Sequence, residues 1–409
     1  MSSVKRITDL LETRRDEDRA EAQYSELIEV VEWARDRAPG WERRFQQAGI
    51  TSGMAGPDIL SSLPVLRKSD LPRIQAQDPP FGGLATRPAA EFRRIFMSPG
   101  PIYEPQLGET DIGGFARGMR LAGLGPGDTV LNTLSYHLTP GGHAFDSGAL
   151  AVGANVVPAG YGNTEQQLEL LRSFPVNAYV GTPSFLSILA GVGEWRFDKA
   201  CVAGEKMTEE ERAVLEAHGG RVRQLYGTAD LGYLAGECIE LAGMHVTEAG
   251  IVEILDPVTA EPVADGDLGE IVVSTFSRDY PMLRLATGDL TRVLSRDACA
   301  CGRTSMRLAG VLGRVGAGVK VRGMFVYEHD VRATAEALGL ERYQVVVGRS
   351  DGRDLLELRI PTNAMGNSDT SRMIDAFRAA IKLTVTPVVT DDLEISDAAL
   401  VDAREIWDM

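Results

Sequence analysis

From Asp128 onward, short apolar runs alternate with stretches whose apolar residues recur at helical spacing. TVLNTLSY, NVVPAG, AYVGTP, KACVAGE and VRQLYG read as strands, and the intervening GGHAFDSGALAVG, TEQQLELLRSF, SFLSILAGVGE and TEEERAVLEAHGG read as helices. This rhythm predicts a parallel α/β sheet. Thr164 with Gln167, and Thr208 with Glu211, have capping-box spacing, in which each side chain satisfies a backbone N–H left over at a helix start. Upstream, residues 5 to 49 are charge-rich and carry Leu10, Leu11, Tyr24, Leu27, Ile28, Val31 and Trp33, a pattern that predicts helices packed on a larger body. After about Gly243 the runs shorten and alternate between turns (HVTEAGIVEILDP, EPVADGDLGEIVVSTFS, PMLRLATGDLTRVL), which predicts a small antiparallel β unit. From about Val315 a last segment has its own strands, YQVVVG, LLELRIP and TVTPVV, and a helix near 369 to 383.

Composition narrows this picture. A chain of 409 residues exceeds what one hydrophobic core organises, so two or three domains are expected. A formal net charge of −16 repels polyanions at long range, which argues against nucleic acid and anionic membranes as partners. The first residues are too charged for a secretory leader and no run has the roughly 18 apolar residues of a membrane span, so a cytoplasmic location is expected. Four cysteines are too few for a disulfide framework and leave reduced thiols or a metal site.

Ligands of an open α/β sheet bind beyond the carboxyl ends of its strands. The segments there are SYHLTPGG (135 to 142), PAGYGNTE (158 to 165), GTPS (181 to 184), AGEK (203 to 206) and YGTAD (226 to 230). Their glycines admit a ligand to the backbone and their hydroxyls supply donors, although ordinary turns select the same residues. Taken in order, together with LPVLRKSDLP, DPPFGG, SPGPIYEP, GTPSFL, QLYGTADLG, LRLATGDLTRVL, CGRTSMRLAGVLGR and VKVRGMFVY, they resemble the adenylate-forming enzymes, most closely the phenylacetate-CoA ligase branch. The resemblance runs nearly the whole length. It implies the adenylate-forming α/β fold: a large N-terminal α/β domain, residues 1–314, including the small β unit at 243–312, plus a small, mobile α+β C-terminal domain, residues 315–409. It also implies that an acid and ATP, with Mg, give an acyl adenylate, whose acyl group then passes to CoA or another nucleophile.

Matched position by position, the resemblance places Tyr226 against adenine, with Gly204 and Glu205 in the adenine-side turn. Asp289, in TGD, matches the carboxylate that accepts hydrogen bonds from both ribose hydroxyls. Arg314, in LGR, matches the arginine at the domain hinge. His137 matches the entrance of the acid pocket, where Tyr136, Gly141, Thr228 and Asp230 would surround the reacting carboxylate. Asp230 stands where relatives have a magnesium-binding glutamate one methylene longer. For His137, as for its neighbour His143, a purely structural role in the turn stays open.

Cys238, His245, Cys299 and Cys301 flank the predicted β unit, and thiolates with imidazole are the ligands of a closed structural zinc site. Some phenylacetate-CoA ligase relatives carry similarly placed cysteines; four unconnected reduced side chains are the alternative. Cys201 lies in a predicted core strand.

Three features depart from the family pattern. The phosphate-loop position reads FMSPGPIYEP, in which Pro99, Pro101 and Pro105 have no N–H and Glu104 would repel a triphosphate. The C-terminal lysine of relatives has no counterpart, because Ala398 and Ala399 occupy its place and the nearest lysine is Lys382. The hinge arginine is followed by Val315, Gly316, Ala317 and Gly318 rather than an acidic residue. Three readings follow: an adenylate-forming ligase for a small aromatic or otherwise planar acid with impaired adenylation; a homologue that takes a preactivated acyl thioester or adenylate as transferase, cyclase or lyase; or a silent binding protein. A homodimer is left open.

Overall fold

The computed structural model describes residues 9–192, 195–257, 259–315, 319–321, 324–326, 328–340, 342–350, 353–361, 370–381, 383–390 and 399–404. The chain divides into two compact units, Met1–Gly313 and Arg314–Met409.

In the first unit, strands Asn155–Pro158, Thr129–Asn132, Ala178–Gly181, Lys199–Val202 and Arg221–Thr228 lie side by side and parallel. The helices Gly141–Ala151, Thr164–Ser173, Pro183–Val192 and Glu209–His218 separate them in the chain, as the periodicity predicts. Apolar residues on both faces explain the burial of Val130, Leu131, Val180, Cys201 and Val222. Of the two capping boxes, Thr208 with Glu211 forms, with both reciprocal bonds present. Thr164 with Gln167 does not. Asn163 is the N-cap there, in a left-handed conformation (φ 53°), and Gln167 Nε2 instead donates to the carbonyls of Gly160 and Gly162. A preceding backbone kink offers Gln167 two nearer acceptors, which outweighs the local capping geometry.

The β-rich stretch after Gly243 does not stand apart. Met244–Val246, Arg307–Leu308 and Val293–Ser295 extend the parallel sheet through the antiparallel strand Gly232–Glu237. Gly250–Leu255, Gly269–Thr275 and Leu285–Thr291 form a second, antiparallel sheet, joined in parallel by Leu66–Arg67. Helices Asp16–Arg37 and Pro39–Gln47 bury Leu27, Val31, Trp41 and Phe45 in a core shared with Met282, Leu283 and Leu285. Leu10 and Leu11 remain exposed, because the turn Leu10–Thr13 is held by polar contacts, among them Arg303 Nε donating to Glu12 Oε2 at 3.0 Å.

The second unit has the sheet order Thr386–Val389, Arg353–Ile360, Gln344–Ser350, Leu400–Asp402. Met373, Phe377 and Ile381, at four-residue spacing on helix Thr370–Ile381, share a core with Val345, Val347, Leu356 and Leu358. Ala399 is buried and its N–H donates to Glu328 Oε1 at 2.9 Å; Ala398, Lys382 and residues 316–318 lie outside the described residues. Among the described residues no helix is long and apolar enough to cross a membrane.

Candidate functional site

Beyond the carboxyl ends of the parallel strands, the first unit encloses a cavity of about 660 Å³. Its walls come from the strand-end segments (Leu134, Gly141, Gly204, Thr228, Asp230), from the second sheet (Val273, Thr275) and from a hairpin of Arg94–Ser98 and Ile102–Gln106. Gly232 allows the floor to close: with φ 74°, a Cβ there would lie 2.3 Å from the Gly113 carbonyl oxygen. Gly142 does the same at the helix entry, where a Cβ would meet the Ser135 carbonyl at 2.7 Å and the Tyr136 ring at 2.8 Å. Phe96, Phe115, Phe145, Tyr233, Phe276 and Tyr280 make much of the lining aromatic.

The hairpin is FMSPGPIYEP. Only residues 99–101 are left as its turn. The N–H of Met97 goes to the Leu138 carbonyl (2.9 Å) and that of Tyr103 to Gln75 Oε1 (2.8 Å), so these donors do not face the cavity. Gln75 also donates to the Tyr103 carbonyl and to Tyr280 Oη, tying the hairpin to the wall.

The hairpin delivers Glu104 into the cavity lining, 4% exposed, opposite Asp230. Ser98 Oγ donates to Glu104 Oε1, and Lys68 Nζ, just past Leu66–Arg67, lies 2.5 Å from Asp230 Oδ2. Among the described residues no N–H or O–H reaches Glu104 Oε2 or Asp230 Oδ1, and Thr228 Oγ1 also lacks a partner. Burial, and then the charge of Asp230, push the Glu104 carboxyl up to about 8, against the pull of Ser98 and Lys68. At neutral pH Glu104 therefore keeps a proton and offers it to Asp230. Neither Lys68 nor the buried facing of Glu104 was singled out from the sequence. Lys68 sits in an ordinary charged run, Arg67, Lys68, Ser69, Asp70, and only its place at the end of a strand paired with Leu285–Thr291 marks it.

The other candidates separate into groups. Gly141, Gly204, Thr228 and Asp230 line the cavity. Tyr226 Oη donates to Asp289 Oδ2 at 2.8 Å, both buried, so the two residues matched to adenosine meet. Glu205 is exposed and accepts the Ser184 N–H at 3.3 Å. His137 is exposed in the turn whose carbonyl accepts from Thr139, and it is not among the lining residues. Tyr136 stands behind the wall: its hydroxyl accepts from Asn132 and donates to Asp146 Oδ1 at 3.0 Å, and burial together with the Asp146 charge pushes its phenol well up. His143 packs between the rings of Phe96 and Tyr136. Arg314 is the first residue of the second unit and is exposed.

Cys238, His245, Cys299 and Cys301 come together, with one ligand atom from each within 4.8 Å of the others. Cys238 Sγ is 3.9 Å from Cys299 Sγ, and Cys301 Sγ is 3.5 Å from His245 Nε2. Sulfurs on a tetrahedral zinc lie about 3.8 Å apart, given Zn–S bonds of about 2.3 Å. The hydrogen bond from Cys238, aided by His245 and Arg303 and opposed by burial, holds the Cys301 thiol well below its ordinary range. Ser305 Oγ lies 3.3 Å from His245 Nδ1, leaving Nε2 for a metal. The chemistry and spacing of the four donors fit zinc.

No family model matches the chain. It is 33% identical over 374 residues to the phenylacetate-coenzyme A ligase of Thermus thermophilus, covering 86% of this chain and 83% of that one. The chain belongs to the phenylacetate-CoA ligase family. The phenylacetate-coenzyme A ligase of Escherichia coli is 29% identical over 382 residues, covering 86% of this chain and 84% of its own. The adenylate-forming fold is shared with 2-hydroxyisobutyryl-CoA ligase in an open conformation with 2-HIB-AMP and CoA, at a TM-score of 0.72 and 22% identity over 98% of this chain and 97% of that one. The family member described here is thus an enzyme of the AMP-forming acid–thiol ligase kind, built on a mixed α/β fold.

Proposed function

We propose that this chain transfers the acyl group of a small aromatic or otherwise planar carboxylic acid from an activated form, an acyl adenylate or thioester, to CoA or another nucleophile, with the ATP-consuming adenylation half impaired. The observation that carries this reading is Glu104, buried on the cavity wall opposite Asp230 at the position where the family's phosphate loop is expected. A triphosphate needs N–H donors and an ammonium. This wall offers prolines, two carboxyls and a lysine already paired to Asp230. Lys68 is engaged by Asp230 and a protonated Glu104 brings no positive charge, so this wall has little to offset the charge of a triphosphate.

In this reading Tyr226, Gly204 and Asp289 hold the adenosine of an acyl adenylate, and the aromatic wall takes the planar acyl body. Thr228 Oγ1, buried and without a partner, supplies a donor to the acyl carbonyl oxygen as negative charge develops there. As the bond from the nucleophile to the acyl carbon forms, the bond to AMP or thiol breaks. Cys238, His245, Cys299 and Cys301 would hold a structural zinc, joining residues of the strand Met244–Val246 and of the loop before Arg307–Leu308. Zinc supplies folding energy there rather than chemistry.

The test compares two half-reactions on the purified chain: thioester formation from benzoyl or phenylacetyl adenylate plus CoA, and ATP–pyrophosphate exchange with the same acids. The expected result is transfer from the preformed adenylate with exchange slower by about 100-fold, the cost of losing an ammonium that contacts transition-state charge. Exchange as fast as transfer would overturn the reading.

A further inference from the structure

Four charged side chains line the cavity: Glu104, Glu109 and Asp230 against Lys68. Lys68 is committed to Asp230 Oδ2. Glu104 is 4% exposed, and no protein donor among the described residues reaches its Oε2 or Asp230 Oδ1. Burial and the neighbouring Asp230 charge both raise the Glu104 pKa. Two neighbouring carboxyls with oxygens that no protein donor meets, set in an aromatic lining, have acceptor capacity that the protein leaves unused. Thr228 Oγ1, also without a partner, adds a third polar atom on the same cavity wall.

From this arrangement we infer that the acyl substrate carries a protonated nitrogen, a primary ammonium or an amidinium, which the unpartnered oxygens of Glu104 and Asp230 bind. The inference rests on the reading of the cavity as an acyl pocket and adds a charged group to that substrate. Several N–H groups on one centre can reach both carboxyls, and charge-assisted bonds in a buried site are the strong kind. The aromatic rings that accept a planar acyl body also favour a nearby cation through their faces. A carboxylate or phosphate at the same place would face two carboxyls with the one ammonium already engaged.

Binding should also move a proton. The groups facing Glu104 are Asp230, Lys68, the Ser98 hydroxyl on its own hairpin and the Tyr280 phenol, whose own ionisation burial pushes well up. Of these, Glu104 is the one that gives up a proton when the cation arrives, so affinity for the cation rises as pH is raised from 6 to 8.

Isothermal titration of the full chain with 4-(aminomethyl)benzamide and with 4-ethylbenzamide, two molecules of nearly one shape and different charge, tests this directly. The expected result is binding of the amine about tenfold tighter or more, with release of about one proton at pH 7 seen as a buffer-dependent heat. Glu104→Gln should bring the two affinities to within about twofold, with a cooperative thermal transition like that of the unaltered chain reporting that the variant is folded. Equal or tighter binding of 4-ethylbenzamide by the unaltered chain, or a preference that survives Glu104→Gln, overturns the inference and leaves the acyl-pocket reading standing. Binding of neither compound overturns both.

Discussion

The Cys238, His245, Cys299 and Cys301 cluster and the Glu104, Asp230 and Lys68 cluster are both sunk in the first unit, and their polar atoms are treated in opposite ways. In the first, every donor atom faces the other three, and Ser305 and Arg303 hold the outer edges of His245 and Cys301. In the second, one ion pair is complete and the remaining oxygens, on residues that line a cavity, meet no donor among the described residues. A buried polar group costs free energy unless it is paired, so a cluster that closes on a central point suits a resident ion, and one that stays open suits a ligand that comes and goes.

The largest expected effect would break the comparison at its closed end. Protein purified without chelator should contain one zinc per chain, and stripping it should lower the thermal midpoint on the order of 10 °C, since a structural zinc contributes folding energy outright. Absence of stoichiometric zinc would reduce the cluster to four reduced side chains and end the contrast. The open end is tested by Glu104→Lys, which places an ammonium on the hairpin where the carboxyl now lies. ATP–pyrophosphate exchange should rise about tenfold or more, while thioester formation from a preformed adenylate changes little. Unchanged exchange would mean that this wall does not limit adenylation.

The smallest effect concerns stability. Folding raises the Glu104 pKa from 4.5 to about 8, so between these values the folded chain holds a proton that the unfolded chain has lost. Stability from this group is fully present below about pH 4.5 and falls as pH rises toward 8. Urea unfolding of wild type and Glu104→Gln across pH 5 to 8.5 should show wild type losing stability relative to the variant over that range and levelling above it. Parallel curves would mean that the carboxyl pair shares no proton.

How far the site could be read from the chain varies residue by residue. Tyr226 and Asp289, matched to the two ends of adenosine, do meet at 2.8 Å. The strand-end segments contribute Gly141, Gly204, Thr228 and Asp230 to the cavity, because parallel strands place their carboxyl ends together. His137 and Tyr136 follow the same strand-end logic, yet His137 faces out and Tyr136 lies behind the wall. One turn holds residues pointing several ways, and a position in sequence does not say which. Lys68 carries no local mark at all.

Period, turn chemistry and charge are local, and they set the order of strands and helices in both units, the Thr208 cap and the formal net charge of −16. These depend on interactions within a few residues, which the chain carries wherever it goes. Long-range closure settled the rest: the β-rich stretch after Gly243 divides between two sheets, Gln167 leaves its capping partner, and Lys68 lands on Asp230. The cavity's unmet oxygens arise in the same way, since a carboxyl is a surface charge or a ligand site according to what the folded chain brings within 3 Å of it.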